Sequence, residues 1–184
     1  MVPGRGALRL MAALLWSVPL PCLAMETPQV LTRQTSLEYS VKANYLVRFA
    51  AFADWPPRAF ASNQSPVVIC VAGRDPFRGA LDRAVQAQTA HGRPLAVRRP
   101  GTREAAAGCH ILYVGQGGGG LVPEGQRATL LVTDSAAPPA ERGMIHFAIS
   151  ENRVRFHIDL QQASRAGLSI SSRLLNLALS VRGG

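Results

Sequence analysis

Apolar residues fall at steps of three and four through residues 36–54: Leu37, Val41, Tyr45, Phe49 and Phe52, with Leu46, Ala50 and Ala53 widening the stripe. That spacing predicts an amphipathic helix, with Ser36 as its N-cap and Trp55-Pro56-Pro57 as its stop. The pattern then changes. VVICVAG (67–73), CHILYVG (109–115) and TLLVTD (129–134) are short, continuous apolar runs, as expected of strands buried on both faces. Asp75-Pro76 opens a helix running from Phe77 to Ala87, and Pro94 to Arg98 is a shorter strand. MIHFAIS (144–150) and RVRFHIDL (153–160) alternate with period two on either side of Glu151-Asn152, which reads as a β-hairpin with a two-residue turn. Pairing Ile149 with Val154 sets the register. Phe147 then faces Phe156 and Ile145 faces Ile158 on the core side, while His146 meets His157 and Ala148 meets Arg155 on the other. A helical piece over 160–166, a stop at Gly167 and an amphipathic helix over Ser171–Val181 close the chain.

Strands alternating with helices predict an α/β fold: a single-domain open, largely parallel sheet flanked by helices, joined by right-handed crossovers, with a C-terminal β-hairpin and closing helix. The 184 residues suit one domain, and no internal repeat or second boundary interrupts them.

The first 24 residues stand outside this rhythm. Arg5 and Arg9 precede a short apolar stretch from Leu10 to Leu20, and Cys22-Leu23-Ala24 puts small residues where a signal peptidase reads. The stretch is too short to span a bilayer, so it predicts a cleaved export signal over 1–24 and one mature domain over 25–184, starting near Met25 and free in the periplasm. An acylated Cys22 would instead need a small residue where Pro21 stands. Export leaves two cysteines, Cys70 and Cys109, and an even count in an oxidising compartment predicts one disulfide, two buried thiols being the alternative. The bridge would close a loop of about 40 residues, worth roughly 4 kcal/mol in the chain-entropy model.

Charge changes the picture less than it first suggests. The chain carries 20 Lys and Arg against 11 Asp and Glu, a net charge of +9. Only Lys42 is a lysine, and the arginines are scattered from Arg5 to Arg182. A nucleic-acid footprint needs a local stripe or patch with interleaved aromatics, so no nucleic-acid partner is expected.

Catalytic signatures are weak. Gly115–Gly120 satisfies G-x-G-x-x-G, but Leu-Val-Pro-Glu-Gly follows instead of a helix N-terminus, so a loop is expected there and not a dinucleotide site. No G-x-S-x-G exists, and Ser169, Ser171 and Ser172 read as helix caps. His91, His110, His146 and His157 show no metal-ligand spacing, although His146 and His157, face to face, could bind a metal, sense pH or simply be solvated. Asp54, Asp75 and Asp159 have capping or turn readings, whereas Asp134 ends a strand where α/β crevices lie. No cofactor, resident metal or enzymatic turnover is expected.

Three blocks together carry a resemblance. VKANYLVRFAAFADWPP (41–57) resembles the opening signature of the YfiR family, K-A-x-x-L-x-x-F followed by W-P. ICVAGRDPF (69–77) is similar to its next block, and RVRFHIDLQQASRAGLSISSRLLNLA (153–178) to its closing one. The resemblance implies a small periplasmic protein that represses a membrane-bound diguanylate cyclase by binding its periplasmic sensor region, lowering cyclic-di-GMP and biofilm formation. It also implies an outer-membrane peptidoglycan-associated lipoprotein that relieves repression. Two departures stand out. The stretch after CHILYVG, helical in the family, is here the Gly117–Gly120 run, and the hairpin over 144–160 lacks the second cysteine pair that family members can carry, so redox control through such a pair is absent.

The residues also suggest where binding occurs. Arg153, Arg155 and His157 line one hairpin face, with Arg165 and Arg173 following, and such a surface could dock an acidic partner or be a solvated charged face. Leu174, Leu175, Leu177 and Leu179 could bury one side of the closing helix in a homodimer. Trp55 could be an exposed anchor or a core residue. The alternative function is a small-ligand sensor without catalysis, using the crevice near Gly73–Pro76, Gly115–Gly120 and Asp134, with Asp75, Gly115 and Asp134 as its candidate residues.

Overall fold

The structure is a computed structural model that describes Met1 and residues 28–183, apart from 126 and 136. The expected export signal, Cys22 and the mature start at Met25 lie outside the described residues. The chain runs α1 (Pro28–Phe52), β1 (Ala53–Asp54), β2 (Val67–Ala72), α2 (Ala80–Val85), β3 (Thr89–Ala90), β4 (Arg93–Arg98), β5 (Ile111–Val114), β6 (Leu130–Thr133), β7 (Ile145–Ser150), β8 (Arg153–Asp159), α3 (Leu160–Arg165), β9 (Ser169–Ile170), α4 (Ser172–Leu175) and β10 (Ser180–Arg182). Among the described residues no helix is long and apolar enough to cross a membrane.

Eight strands form one mixed sheet in the order β10-β8-β7-β6-β5-β2-β4-β3, with β4, β2, β5, β6 and β7 parallel. This is the expected α/β architecture. Alternate residues of the central strands face two cores. Val67, Ile69, Val71, Ile111, Tyr113, Leu130 and Val132 join the buried residues of all four helices on one side. Cys70, Ala72 and Leu112 form a smaller cluster with Cys109 on the other. Tyr45 and Phe49 of α1 pack onto Phe147 and Phe156 with ring centroids 5.1–6.1 Å apart, and each fully buried Phe contributes about 1.5–3 kcal/mol. Trp55 takes the core reading, with its indole N–H donating to the His110 carbonyl at 3.1 Å.

The hairpin register is as expected, Ile149↔Val154 through Ile145↔Ile158, with His146 opposite His157. Glu151 and Asn152 both take positive φ, +50° and +57°, as a two-residue turn of the mirror-image type requires. The bridge between Cys70 and Cys109 is formed, with Cα atoms 5.8 Å apart, because β2 and β5 are neighbours. Asp159 caps α3 by accepting from the Gln162 amide, and Ser171 caps α4 by accepting from the Arg173 amide.

Several boundaries differ from the sequence expectation. The first helix begins eight residues before Ser36, because nothing in 29–35 breaks a helix, and Ser36 is an interior residue. Its buried face is centred on Lys42, Ala43, Leu46, Phe49 and Ala50, leaving Leu37 and Val41 exposed, and Ala53 is buried in β1 just beyond it. The small alanines let α1 approach the sheet closely. The second helix is only Ala80–Val85, since Arg78 and Gly79 both take positive φ before it. The closing helix is cut to Ser172–Leu175. Leu179 then donates its N–H to the Phe156 carbonyl and β10 pairs in parallel with the outer edge of β8, which satisfies strand backbone that a longer helix would have left open. Ser169, expected as a cap, pairs in β9 with Asp54 of β1.

Candidate functional site

Three adjacent parallel strands, β2, β5 and β6, end at the same side of the sheet, and the loops that follow them enclose a crevice of about 680 Å³. Arg74 and Pro76 come from the first loop, Gly115 to Gly120 from the second, and Asp134, Pro138 and Glu141 from the third, while Tyr39 reaches in from α1. Close contact between the first two loops explains part of the glycine run. A Cβ on Gly73 would lie 2.5 Å from the Gly118 nitrogen, one on Gly115 2.5 Å from the Arg74 carbonyl oxygen, and one on Gly118 2.4 Å from the Ala72 carbonyl oxygen.

The crevice floor is a buried polar cluster. Asp134, at the end of β6, accepts from Lys42 Nζ at 2.7 Å, Tyr113 Oη at 2.6 Å, Tyr39 Oη at 3.1 Å and the Ser135 amide at 2.6 Å. Lys42 is fully buried and also donates to Glu38, one helical turn earlier. Its ammonium lies 4.6 Å from the centroid of the Tyr39 ring, so the charge is met by two carboxylates and a π-face. Burial alone would raise the pKa of Asp134, but the hydrogen bonds from Lys42 and Tyr113 outweigh it and hold the carboxyl below its ordinary range. Tyr39 is pushed up to about 12 by burial and then by the Asp134 charge, and Tyr113 further by the same causes. At neutral pH both phenols are therefore hydrogen-bond donors.

Sequence reasoning places Asp134 and Gly115 in this crevice, and both line it. Asp75 does not. Its carboxylate accepts from the Phe77 amide at 2.7 Å and pairs with Arg99 at 2.7 Å, a turn and an ion pair outside the lining. Arg74 falls within the expected 73–76 loop and lines the crevice, whereas Lys42, Glu38, Tyr39, Tyr113 and Glu141 were not anticipated. The available signal for Lys42 was its solitude, one lysine set inside an otherwise apolar helix stripe.

A second candidate surface is the side of the hairpin turned away from the helices. Arg153 is exposed there, and Arg155 and His157 are half-buried. Arg155 Nε has no hydrogen-bond partner, and His157 Nδ1 lies 2.7 Å from Ser180 Oγ of β10. His146 is buried beside it, 3.0 Å from Thr133 Oγ1, with the two imidazole rings stacked at 6.4 Å. Burial, and then the charge of Arg142, keep the His146 pKa below its ordinary value. Arg165 and Arg173 are exposed on α3 and α4, in the helical layer on the opposite side of the sheet, so the structure does not bring all five cationic residues to one face. Among the described residues no group of three or more His, Cys, Asp or Glu is placed to hold a metal ion.

A family model described as YfiR/HmsC-like matches residues 39–179, most of the chain. The chain belongs to this family. A comparison with curated proteins gives no match. The YfiR/HmsC-like blocks map onto the observed core: Lys42, Ala43, Leu46 and Phe49 form the buried face of α1, and Trp55 seals its end. The closing block becomes β8, α3, β9 and α4. This family fits a periplasmic regulator of cyclic-di-GMP signalling and is a regulatory, non-catalytic one. Its periplasmic setting agrees with the Cys70–Cys109 bridge, which suits an oxidising compartment.

Proposed function

We propose that the mature protein represses an inner-membrane diguanylate cyclase by binding the cyclase's periplasmic region, and so lowers cyclic-di-GMP and biofilm formation. The observation that carries this reading is the YfiR/HmsC-like match over residues 39–179. The helix-free hairpin face supports it as a docking surface. Arg153, exposed at the end of this face, offers guanidinium donors for acidic groups on a partner. A peptidoglycan-associated lipoprotein of the outer membrane would relieve repression by competing for the chain, and a homodimer is the expected repressing form.

Deletion of the gene should raise cyclic-di-GMP, and the wild-type chain should restore it. Arg153→Glu should lose repression and co-purification with the cyclase while keeping the wild-type melting temperature, because that side chain is exposed. Unchanged cyclic-di-GMP on deletion would refute the repressor reading. Full repression by Arg153→Glu would remove this face from the interface.

A further inference from the structure

Repression through the hairpin leaves the crevice beyond β2, β5 and β6 without a use. Its volume, about 680 Å³, lies within the range of small-molecule sites. Parallel α/β sheets place such sites at the carboxyl ends of their strands, beside the strand where the chain order reverses. Here that strand is β2, flanked by β4 on one side and β5 on the other.

The charges around the crevice fall into two groups. Lys42 is buried and pairs with both Asp134 and Glu38, so this floor cluster, formally one negative charge, has its cation already engaged. Arg74 and Glu141 are exposed lining residues with no ion-pair partner among the described residues. They stand on either side of the β5 loop, since Arg74 follows β2 and Glu141 follows β6. The crevice therefore offers a ligand one free positive group and one free negative group.

The glycine run adds an independent constraint. Gly73, Gly115 and Gly118 are required by the packing of the loops, and Gly117 by its φ of +75°. Gly119 and Gly120 are required by neither. A Cβ on Gly120 would meet nothing within 4 Å, one on Gly119 would meet only the Glu141 carboxylate at 3.9 Å, and both have ordinary φ. Glycine costs backbone entropy at such positions and has a reason to be there when something approaches the bare chain. Both residues are exposed and line the crevice, and their amides have no hydrogen-bond partner among the described residues.

We propose that this crevice is a binding site for a small zwitterion, a molecule bearing one carboxylate and one ammonium group. Arg74 and the bare amides of Gly119 and Gly120 hold the carboxylate, and Glu141 holds the ammonium. Tyr39 and Tyr113, both protonated at neutral pH and turned toward Asp134, form the floor. A simple anion is opposed by Glu141 and a simple cation by Arg74, so the paired charges select for a ligand that carries both. The crevice and the hairpin face share the 138–142 loop, but occupancy of the crevice is testable without any cyclase.

Thermal unfolding of the exported mature protein would be followed with each of the twenty common L-amino acids at millimolar concentration, with acetate and methylammonium as single-charge controls. At least one amino acid should raise the melting temperature by about 5 °C at a hundredfold excess over its Kd, and neither control should. Arg74→Ala and Glu141→Gln should each abolish the shift while leaving the unliganded melting temperature unchanged. Gly120→Val should fold normally, having space for the side chain, and should also lose the shift; Gly120→Ser serves if valine disturbs the turn. No shift with any amino acid, an equal shift with acetate, or a shift that survives Arg74→Ala or Gly120→Val would overturn the proposal.

Discussion

Replacing Lys42 by Met tests the buried cluster that ties α1 to the end of β6. The methionine side chain matches the lysine stem as far as Cε and suits the aromatic surroundings, where the ammonium now lies 4.6 Å from the Tyr39 centroid and 5.7 Å from that of Phe147. What is lost is the charge facing Asp134 at 2.7 Å. At an effective dielectric of 20 that contact is worth about 6 kcal/mol before desolvation. Removing Lys42 also removes its own desolvation cost, and measured losses of one partner from a buried pair fall at about 3–5 kcal/mol. Asp134 keeps its donors from Tyr113, Tyr39 and Ser135, which puts the expected loss near the lower end, about 3 kcal/mol. For a domain of this size that lowers the melting temperature by roughly 6–12 °C.

The pH dependence identifies the cause. In the wild type the Asp134 pKa is depressed, so its contribution is complete above the unfolded value of about 3.9 and is lost as pH falls through the folded one. Without Lys42 the burial of Asp134 loses its main counterweight and its pKa moves up. The variant's deficit should then shrink as pH falls from about 7 to about 5, because protonation removes the uncompensated charge. Urea melts followed by circular dichroism across that range measure both quantities. Lys42→Met/Asp134→Asn should recover most of the loss, since neither charge remains. A deficit below about 1 kcal/mol at neutral pH, the size of an ordinary substitution, would refute the reasoning, as would a larger one that does not change with pH.

Two further predictions follow from local geometry. Cys109→Ser should cost about 2–5 kcal/mol, given the 39-residue separation of the bridge, and alkylation of both thiols in fresh native protein would contradict it. His110 accepts from the Val68 amide through Nδ1 at 3.0 Å and donates through Nε2 to the Ala59 carbonyl at 3.1 Å, so it is buried as the neutral Nε2–H tautomer. Burial holds its pKa below the ordinary value, so its contribution is complete above the unfolded value of about 6.5 and is lost on acidification, by up to about 1.4 kcal/mol per pH unit; an imidazole titrating at its ordinary value by NMR would refute this.

What the sequence revealed depended on how far the deciding contact lay along the chain. The hairpin register was legible because a two-residue turn and period-two alternation are both local, and a one-residue slip would have turned Phe147 and Phe156 to the wrong face. The disulfide was legible for a related reason: with Cys22 assigned to an expected leader, two cysteines remained, and the strand order put them side by side. The end of the chain was not. Leucines at 174, 175, 177 and 179 suit a helix stripe, but 175, 177 and 179 also alternate as a strand does, and the choice was made by the open edge of β8, which no window over 171–181 contains.

Lys42 shows the same limit at the candidate site. The expected stripe counted apolar residues alone, so it took in Leu37 and Val41, both exposed in the structure, and left out the buried Lys42. The charge turns inward because Asp134, 92 residues away, is delivered to the same spot by the end of β6. Asp134 itself was legible, since an acid at the end of a parallel strand sits where crevices form. Its cation was not, because helical periodicity records which side of a helix is apolar but not which distant carboxylate will neutralise a charge placed there. A solitary lysine among nineteen arginines is the trace that pairing leaves in composition: a compact ammonium on an unbranched stem enters a narrow buried site between Glu38, Asp134 and the Tyr39 ring, whereas a guanidinium with five donors would leave several of them unsatisfied.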